Sequence, residues 1–260
     1  MKASFKNIRI LAPILLIFLS LGCNPNYKVI DYTSSNETTI NDFSTSDSLF
    51  PFVYSYQNKL NETMNEVINS AEVDMEIGNP EGLLGNFVAD LVLIKAQKVS
   101  KTSVDFCVLN NGGLRKPIQK GPITRGDIYE LMPFENELVV LELSGEKVKE
   151  FTEFVLKKSL QLDARKAGVP VSGIRMVIKD SLIAETRIGL YTLDVKKKYT
   201  IVTSDYLSAG GDNMSFFIEP ISSTPLNLKL RDVILEEIIT LGKNNLTVKA
   251  QFDGRIRIQK

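Results

Sequence analysis

The sequence of 260 residues contains no histidine, the side chain most often used to ligate transition metals and to move protons near neutral pH. A two-metal phosphoesterase needs several such ligands to hold both ions and make a hydroxide nucleophile. The absence therefore argues against a self-sufficient metal hydrolase. It also leaves a cysteine nucleophile without its activating base, and no segment presents a distinctive pair of carboxylates for glycoside chemistry. Cysteine itself is scarce, with only Cys23 and Cys107. Clustered positive charge is scarce too. The compact run Lys196-Lys197-Lys198 falls at an expected turn and reads as a solvated surface, so no nucleic-acid partner is expected. There is no internal repeat.

What is present begins with an export signal. Lys2, Lys6 and Arg9 precede an apolar run from Ile10 to Leu21, followed by Gly22-Cys23, too short for a comfortable membrane span. A small residue directly before cysteine at the end of such a run resembles the bacterial lipobox, in which the cysteine is acylated and becomes the mature N-terminus. An ordinary cleaved signal and an uncleaved anchor are the alternatives. On the lipobox reading residues 1–23 are removed or lipidated at Cys23, and the chain is held by a lipid anchor in a bacterial cell envelope. The default is the periplasmic side, the cell surface being the other face. Cys107 then has no intramolecular partner. Its place in Phe106-Cys107-Val108-Leu109 marks a buried, inert thiol. Without the three cations of the signal, 28 Lys and Arg stand against 31 Asp and Glu, a net charge of about −3.

Residues 24–50 are rich in Ser, Thr, Asn and Asp and read as a flexible tether. From residue 51 to 260 the pattern is that of one folded domain. Val53, Tyr56, Leu60, Met64, Val67, Ile68 and Ala71 recur at three- and four-residue intervals, predicting a long helix over 51–73 that Asp47 or Ser48 caps. Further helices are predicted over 83–98, with Leu84, Phe87, Val88, Leu91 and Ile94 on one side, and from the capping box at Thr124 to Met132. Ser144 caps another, lined by Val148, Phe151, Val155 and Leu156. The last spans 230–241. Strands are predicted over 104–109, 138–143, 173–179, 183–188, 200–207 and 246–258, the last bent near Asp253-Gly254. Interleaved strands and helices over this length indicate a single α/β (α+β) domain, mixed sheets flanked by helices.

Three segments carry candidate chemistry. Asn110-Asn111-Gly112-Gly113-Leu114-Arg115 leaves a buried strand, and strand ends in mixed sheets are where ligands collect. Gly112 and Gly113 let backbone approach a ligand, although any tight turn uses such residues. Phe134, in Met132-Pro133-Phe134, lies on a helix-to-strand connection. Tyr206, in Asp205-Tyr206-Leu207-Ser208-Ala209-Gly210-Gly211-Asp212, lies in a β-rich run. Each aromatic alone reads as core, but jointly they offer two faces that can sandwich a purine. Asp212, after Gly210 and Gly211, is either a turn former or an acceptor for both hydroxyls of a ribose, with Arg115 as the donor beside it.

Taken in order, N-N-G-G-L-R, P-F-x-N and the D-Y-L-S-A-G-G-D loop resemble the C-terminal, substrate-specificity domain of the 5′-nucleotidase family, whose full members add an N-terminal dinuclear metallophosphatase domain. The resemblance covers most of the chain from Phe52 to Lys260, and the terminal helix with Asp253-Gly254-Arg255-Ile256 is similar to the family's closing segment. It implies that Phe134 and Tyr206 sandwich the base, that Asn110 bonds the base edge, and that Arg115 and Asp212 hold the ribose. Leu83 stands where some members carry a further substrate-contacting arginine. No cofactor is implied for this chain, divalent metals being expected only on a partner metallophosphatase. Two functions follow as expectations. One is the nucleoside- or nucleotide-recognition subunit of a split 5′-nucleotidase. The other is a non-catalytic lipoprotein that captures nucleosides or nucleotides for uptake, a structural remnant being a weaker third.

Overall fold

The computed structural model describes residues 50–161 and 164–259; the expected signal, Cys23, residues 24–49 of the expected tether and the capping candidates Asp47 and Ser48 lie outside them, while Phe50, the last tether position, begins the first helix. In chain order these residues form α1 (Phe50–Met64), β1 (Val67–Ala71), α2 (Leu83–Val99), β2 (Phe106–Val108), β3 (Gly121–Thr124), α3 (Arg125–Leu131), β4 (Glu137–Ser144), α4 (Gly145–Ser159), β5 (Val171–Ser172), β6 (Ile174–Lys179), β7 (Leu182–Ile188), β8 (Tyr191–Thr192), β9 (Lys198–Ser204), α5 (Asp205–Ser208), β10 (Ser222–Lys229), α6 (Leu230–Lys243) and β11 (Ile256–Gln259). Short 3-10 turns occupy several connections, among them Asn111–Gly113, Arg165–Ala167 and Gly211–Asn213.

A mixed five-stranded sheet, ordered β10-β4-β9-β2-β5, is the centre of the fold. Both of its faces are buried, so successive residues of one strand enter different cores. Phe106 and Val108 of β2 pack with Phe151 and Val155 of α4. Cys107 and Leu109 point the other way, among Leu84 and Val88 of α2 and Ile234 of α6. Burial pushes the Cys107 thiol well above its ordinary pKa, with the Asp90 charge adding to the effect, so it stays protonated and unreactive. A four-stranded sheet, β11-β6-β7-β8, and the pair β1-β3 complete the domain.

The caps form as expected. Thr124 accepts from the Asp127 N–H at 3.1 Å while Asp127 accepts from the Thr124 N–H at 2.8 Å, and Ser144 Oγ accepts from the Lys147 N–H at 3.3 Å. Helix α2 buries Leu84, Phe87, Val88 and Leu91 as the spacing predicts, with Ile94 exposed. Lys196 and Lys197 are exposed at the turn before β9.

Three boundaries differ from the sequence-based expectation. The apolar stripe predicted to run as helix to residue 73 stops at Met64, and Val67–Ala71 instead pairs with β3; the β-branched Val67 and Ile68 satisfy a strand better than a helix end. The predicted strand over 200–207 ends at Ser204, whose Oγ accepts from the Leu207 N–H at 3.2 Å and so starts a helical turn. The predicted strand over 246–258 is reduced to an isolated bridge from Val248 to Ala71 and to β11, which starts at Ile256 just past Gly254 with its φ of 68°.

That break serves Arg255, which is 7% exposed. Its guanidinium donates to both carboxylate oxygens of Asp90 on α2 at 2.9 and 3.1 Å, to Asp253 at 3.0 Å and to the Val171 carbonyl at 2.8 Å. The C-terminal segment is thereby fastened to a helix and to an edge strand of the central sheet.

Candidate functional site

The central sheet explains how three distant segments meet. Strand β4 runs antiparallel to β9, with Leu138 opposite Ser204. The residues before β4 and those after β9 therefore emerge at one end of the sheet. Phe134 is four residues before Leu138 and Tyr206 two after Ser204. Strand β2 is parallel to β9, Cys107 pairing with Val202, so the Asn110–Arg115 turn leaves at that same end. The result is a cleft of about 360 Å³ lined by Asn110, Gly112, Gly113, Arg115, Phe134, Asn136, Tyr206 and Asp212. The two rings stand 43% and 46% exposed, which places them at a mouth rather than in the core.

The polar groups form one connected network. Asp212 Oδ2 accepts from Asn110 Nδ2 at 2.6 Å, and its Oδ1 accepts from the Tyr206 hydroxyl at 2.8 Å. That hydroxyl in turn accepts from the Asp212 N–H at 3.2 Å. The hydrogen bond to the carboxylate raises the Tyr206 pKa, so the phenol remains a neutral donor. Asp212 has a left-handed φ of 53°, which an Asp tolerates better than most residues. Arg115 does not pair with Asp212. Its Nη1 donates to the Gly112 carbonyl at 3.3 Å and its guanidinium lies 6.0 Å from the Phe134 ring centre, at the outer range of a cation–π contact.

The Phe134 loop is held from two sides. Asn136 Nδ2 donates to Asp205 Oδ1 at 3.0 Å, and the same oxygen accepts from the Tyr206 N–H at 2.7 Å. This links the loop carrying one ring to the turn carrying the other. From the opposite side Lys229 and Arg231, at the start of α6, pair with Glu135. The hydrogen bond from Lys229, then that from Arg231, holds the Glu135 carboxyl at a pKa of about 2, so this loop anchor stays ionised at neutral pH. Arg231 also lies 4.6 Å from the Tyr129 ring centre.

Gly210 and Gly211 stand behind Tyr206 rather than in the cleft. Gly210 has a φ of 89°, a conformation open to glycine at no steric cost. At Gly211 an added Cβ would lie 2.5 Å from Cε1 and Cζ of the Tyr206 ring, well inside van der Waals contact. Gly211→Ala is therefore expected to swing the ring out of place and to weaken about tenfold any ligand stacked on it, in the range of one lost base stack, with the melting temperature of the ligand-free protein little changed because the ring is at the surface. Isothermal titration calorimetry checks this, and an unaltered Kd would show that the ring is not held by this packing.

The chain has no histidine, and among the described residues no three His, Cys, Asp or Glu side chains converge so as to hold a metal ion. What the arrangement can do is bind: two aromatic faces, an amide, a guanidinium and a carboxylate converge on one opening. Asn136 is the lining residue that the reading of single positions left out, although it is the last position of P-F-x-N. Leu83 lies apart from the cleft and packs against the core under α2.

The family model of the 5′-nucleotidase C-terminal domain matches residues 63–219. The chain is 28% identical over 223 residues to the trifunctional nucleotide phosphoesterase YfkN of Bacillus subtilis, a match spanning 78% of this chain and 14% of that protein. It is 28% identical over 167 residues to the 5′-nucleotidase of Vibrio parahaemolyticus, spanning 64% of this chain and 28% of that one. Among solved structures, the 5′-nucleotidase precursor of Thermus thermophilus superposes with a TM-score of 0.67 at 25% identity, covering 80% of this chain and 42% of the other. The chain thus spans less than half the length of each of these relatives.

Proposed function

We propose that this chain, which belongs to the 5′-nucleotidase C-terminal domain family, is a nucleoside- and nucleotide-recognition unit whose partner in hydrolysis is a metallophosphatase on a separate polypeptide. The observation that carries recognition is the cleft between Phe134 and Tyr206, with Asn110, Arg115 and Asp212 at its rim. In this reading the rings sandwich the base, Asn110 meets its edge, and Arg115 with Asp212 holds the ribose. The lack of histidine supports putting the metal chemistry on the partner, since the hydroxide nucleophile and the charge stabilisation of ester hydrolysis both come from a metal pair. Val53 and Leu60 of α1 are exposed, and apolar side chains of this kind suit a contact with a second protein. A lipid on Cys23 would hold the unit in the cell envelope.

The alternative, capture of nucleosides or nucleotides for uptake with no catalytic partner, is separated by one experiment. Protein lacking residues 1–23 is incubated with AMP and divalent metal, alone and with a candidate metallophosphatase secreted by the same organism, and released phosphate is measured. None is expected from the chain alone, and release is expected to rise when the partner is added. Phosphate release by the isolated chain would sink the split-enzyme reading. A partner whose rate the chain does not alter, together with a melting temperature raised by adenosine, would favour capture.

A further inference from the structure

A second cleft, of about 260 Å³, lies against the first and shares Asn110, Gly112 and Asp212 with it. Those three residues are the wall between the two. The far side has a different character: Lys158 and Lys166 line it, together with Phe154 and the Gly168 turn. Lys158 is half-buried at the end of α4, with its ammonium 5.3 Å from the centre of the Phe154 ring, a contact that orients the charge. Phe154 is in turn fixed by edge-to-face packing on Phe216 at 5.5 Å. Lys166 comes from a separate segment, the turn Arg165–Ala167. Among the described residues that line this cleft the carboxylate is that of Asp212, which already accepts from Asn110 and Tyr206, while Lys158 and Lys166 come to the opening from two separate segments.

We propose that this lysine-lined cleft is a phosphate subsite, taking a phosphate carried on the ribose of a nucleoside seated in the neighbouring cleft. The inference rests on the nucleoside reading of the neighbouring cleft. A ribose held at Asp212, on the wall between the two clefts, has the lysine side within reach of its substituents, where two point charges suit a phosphate dianion. Neither lysine belongs to the motifs at the aromatic cleft, and this subsite needs no group from another chain.

The test is titration calorimetry of the chain lacking residues 1–23 with adenosine, 5′-AMP, 3′-AMP and inorganic phosphate, for the wild type and for the double variant Lys158→Gln, Lys166→Gln. At low salt at least one AMP isomer is expected to bind about tenfold more tightly than adenosine, as for one or two charge-assisted contacts. The double variant is expected to lose that advantage while its adenosine affinity is unchanged, and the isomer that gains identifies which ribose position reaches the lysines. Equal affinities for adenosine and both AMP isomers, or an AMP advantage that survives in the variant, would overturn the subsite and leave the nucleoside reading standing. Lysine-dependent binding of inorganic phosphate without an AMP advantage would also overturn it, assigning the cleft to free anions. Failure of every nucleoside and nucleotide to bind the wild type would remove the nucleoside reading itself, and the subsite with it.

Discussion

Phe134→Ala is expected to weaken adenosine binding by a factor of about 5 to 100 and to abolish most of the ligand-induced rise in melting temperature, while the ligand-free protein melts as before. The size follows from base stacking, which contributes about 1–3 kcal/mol per aromatic face. The unchanged stability follows from position, because a ring that is 43% exposed adds little to either core. Tyr206→Ala should do the same. Tyr206→Phe separates two roles of that residue, since it keeps the stacking face and removes only the hydroxyl bonded to Asp212, and it should cost several-fold less affinity than the alanine. Calorimetric titration distinguishes these outcomes. Wild-type affinity in both alanine variants would show that the rings do not bind the base.

Arg255→Met is expected to have the opposite profile, with a large loss of stability and little direct effect on the cleft. Removing one member of a buried ion pair costs about 3–5 kcal/mol when the partner stays buried. Asp90 is 44% and Asp253 27% exposed as side chains, so both can recover water, and a loss of about 2–3 kcal/mol is the better expectation. For a domain of this size that lowers the melting temperature by roughly 5–10 °C. Urea denaturation should show a lower midpoint with an unchanged slope. A shift below about 2 °C would mean that the C-terminal segment is held by packing alone.

The candidate site was more legible in the sequence than some of the fold. Gly112-Gly113, Phe134 and Gly210-Gly211-Asp212 each carry a local chemical signature, and their residues line or support one cleft. What no local pattern contains is strand order: that β4, β9 and β2 are neighbours follows from pairing between residues as far apart as Cys107 and Val202. Strand β10 was missed for a related reason. Its residues, Ser222–Lys229, are mostly exposed and include Pro225, features that belong to an edge strand and erase the alternation by which strands are recognised. The helix predicted to residue 73 failed because Val67, Ile68 and Ala71 fit a three-and-four spacing by coincidence over a short run, while pairing with β3 decided their conformation. Cys107 and the Thr124 cap were readable because they depend on neighbours a few residues away.

The hydrogen-bond ladder that sets Leu138 opposite Ser204 also fixes where the two jaws are rooted. One ring is mounted a few residues from each of these partners, so the spacing of their two backbone attachments follows strand pairing, while the aim of each ring is left to local packing such as that of Tyr206 against Gly211. Substitution can change what the rim says to a ligand. The two points from which the rings spring change only if the ladder itself is rebuilt.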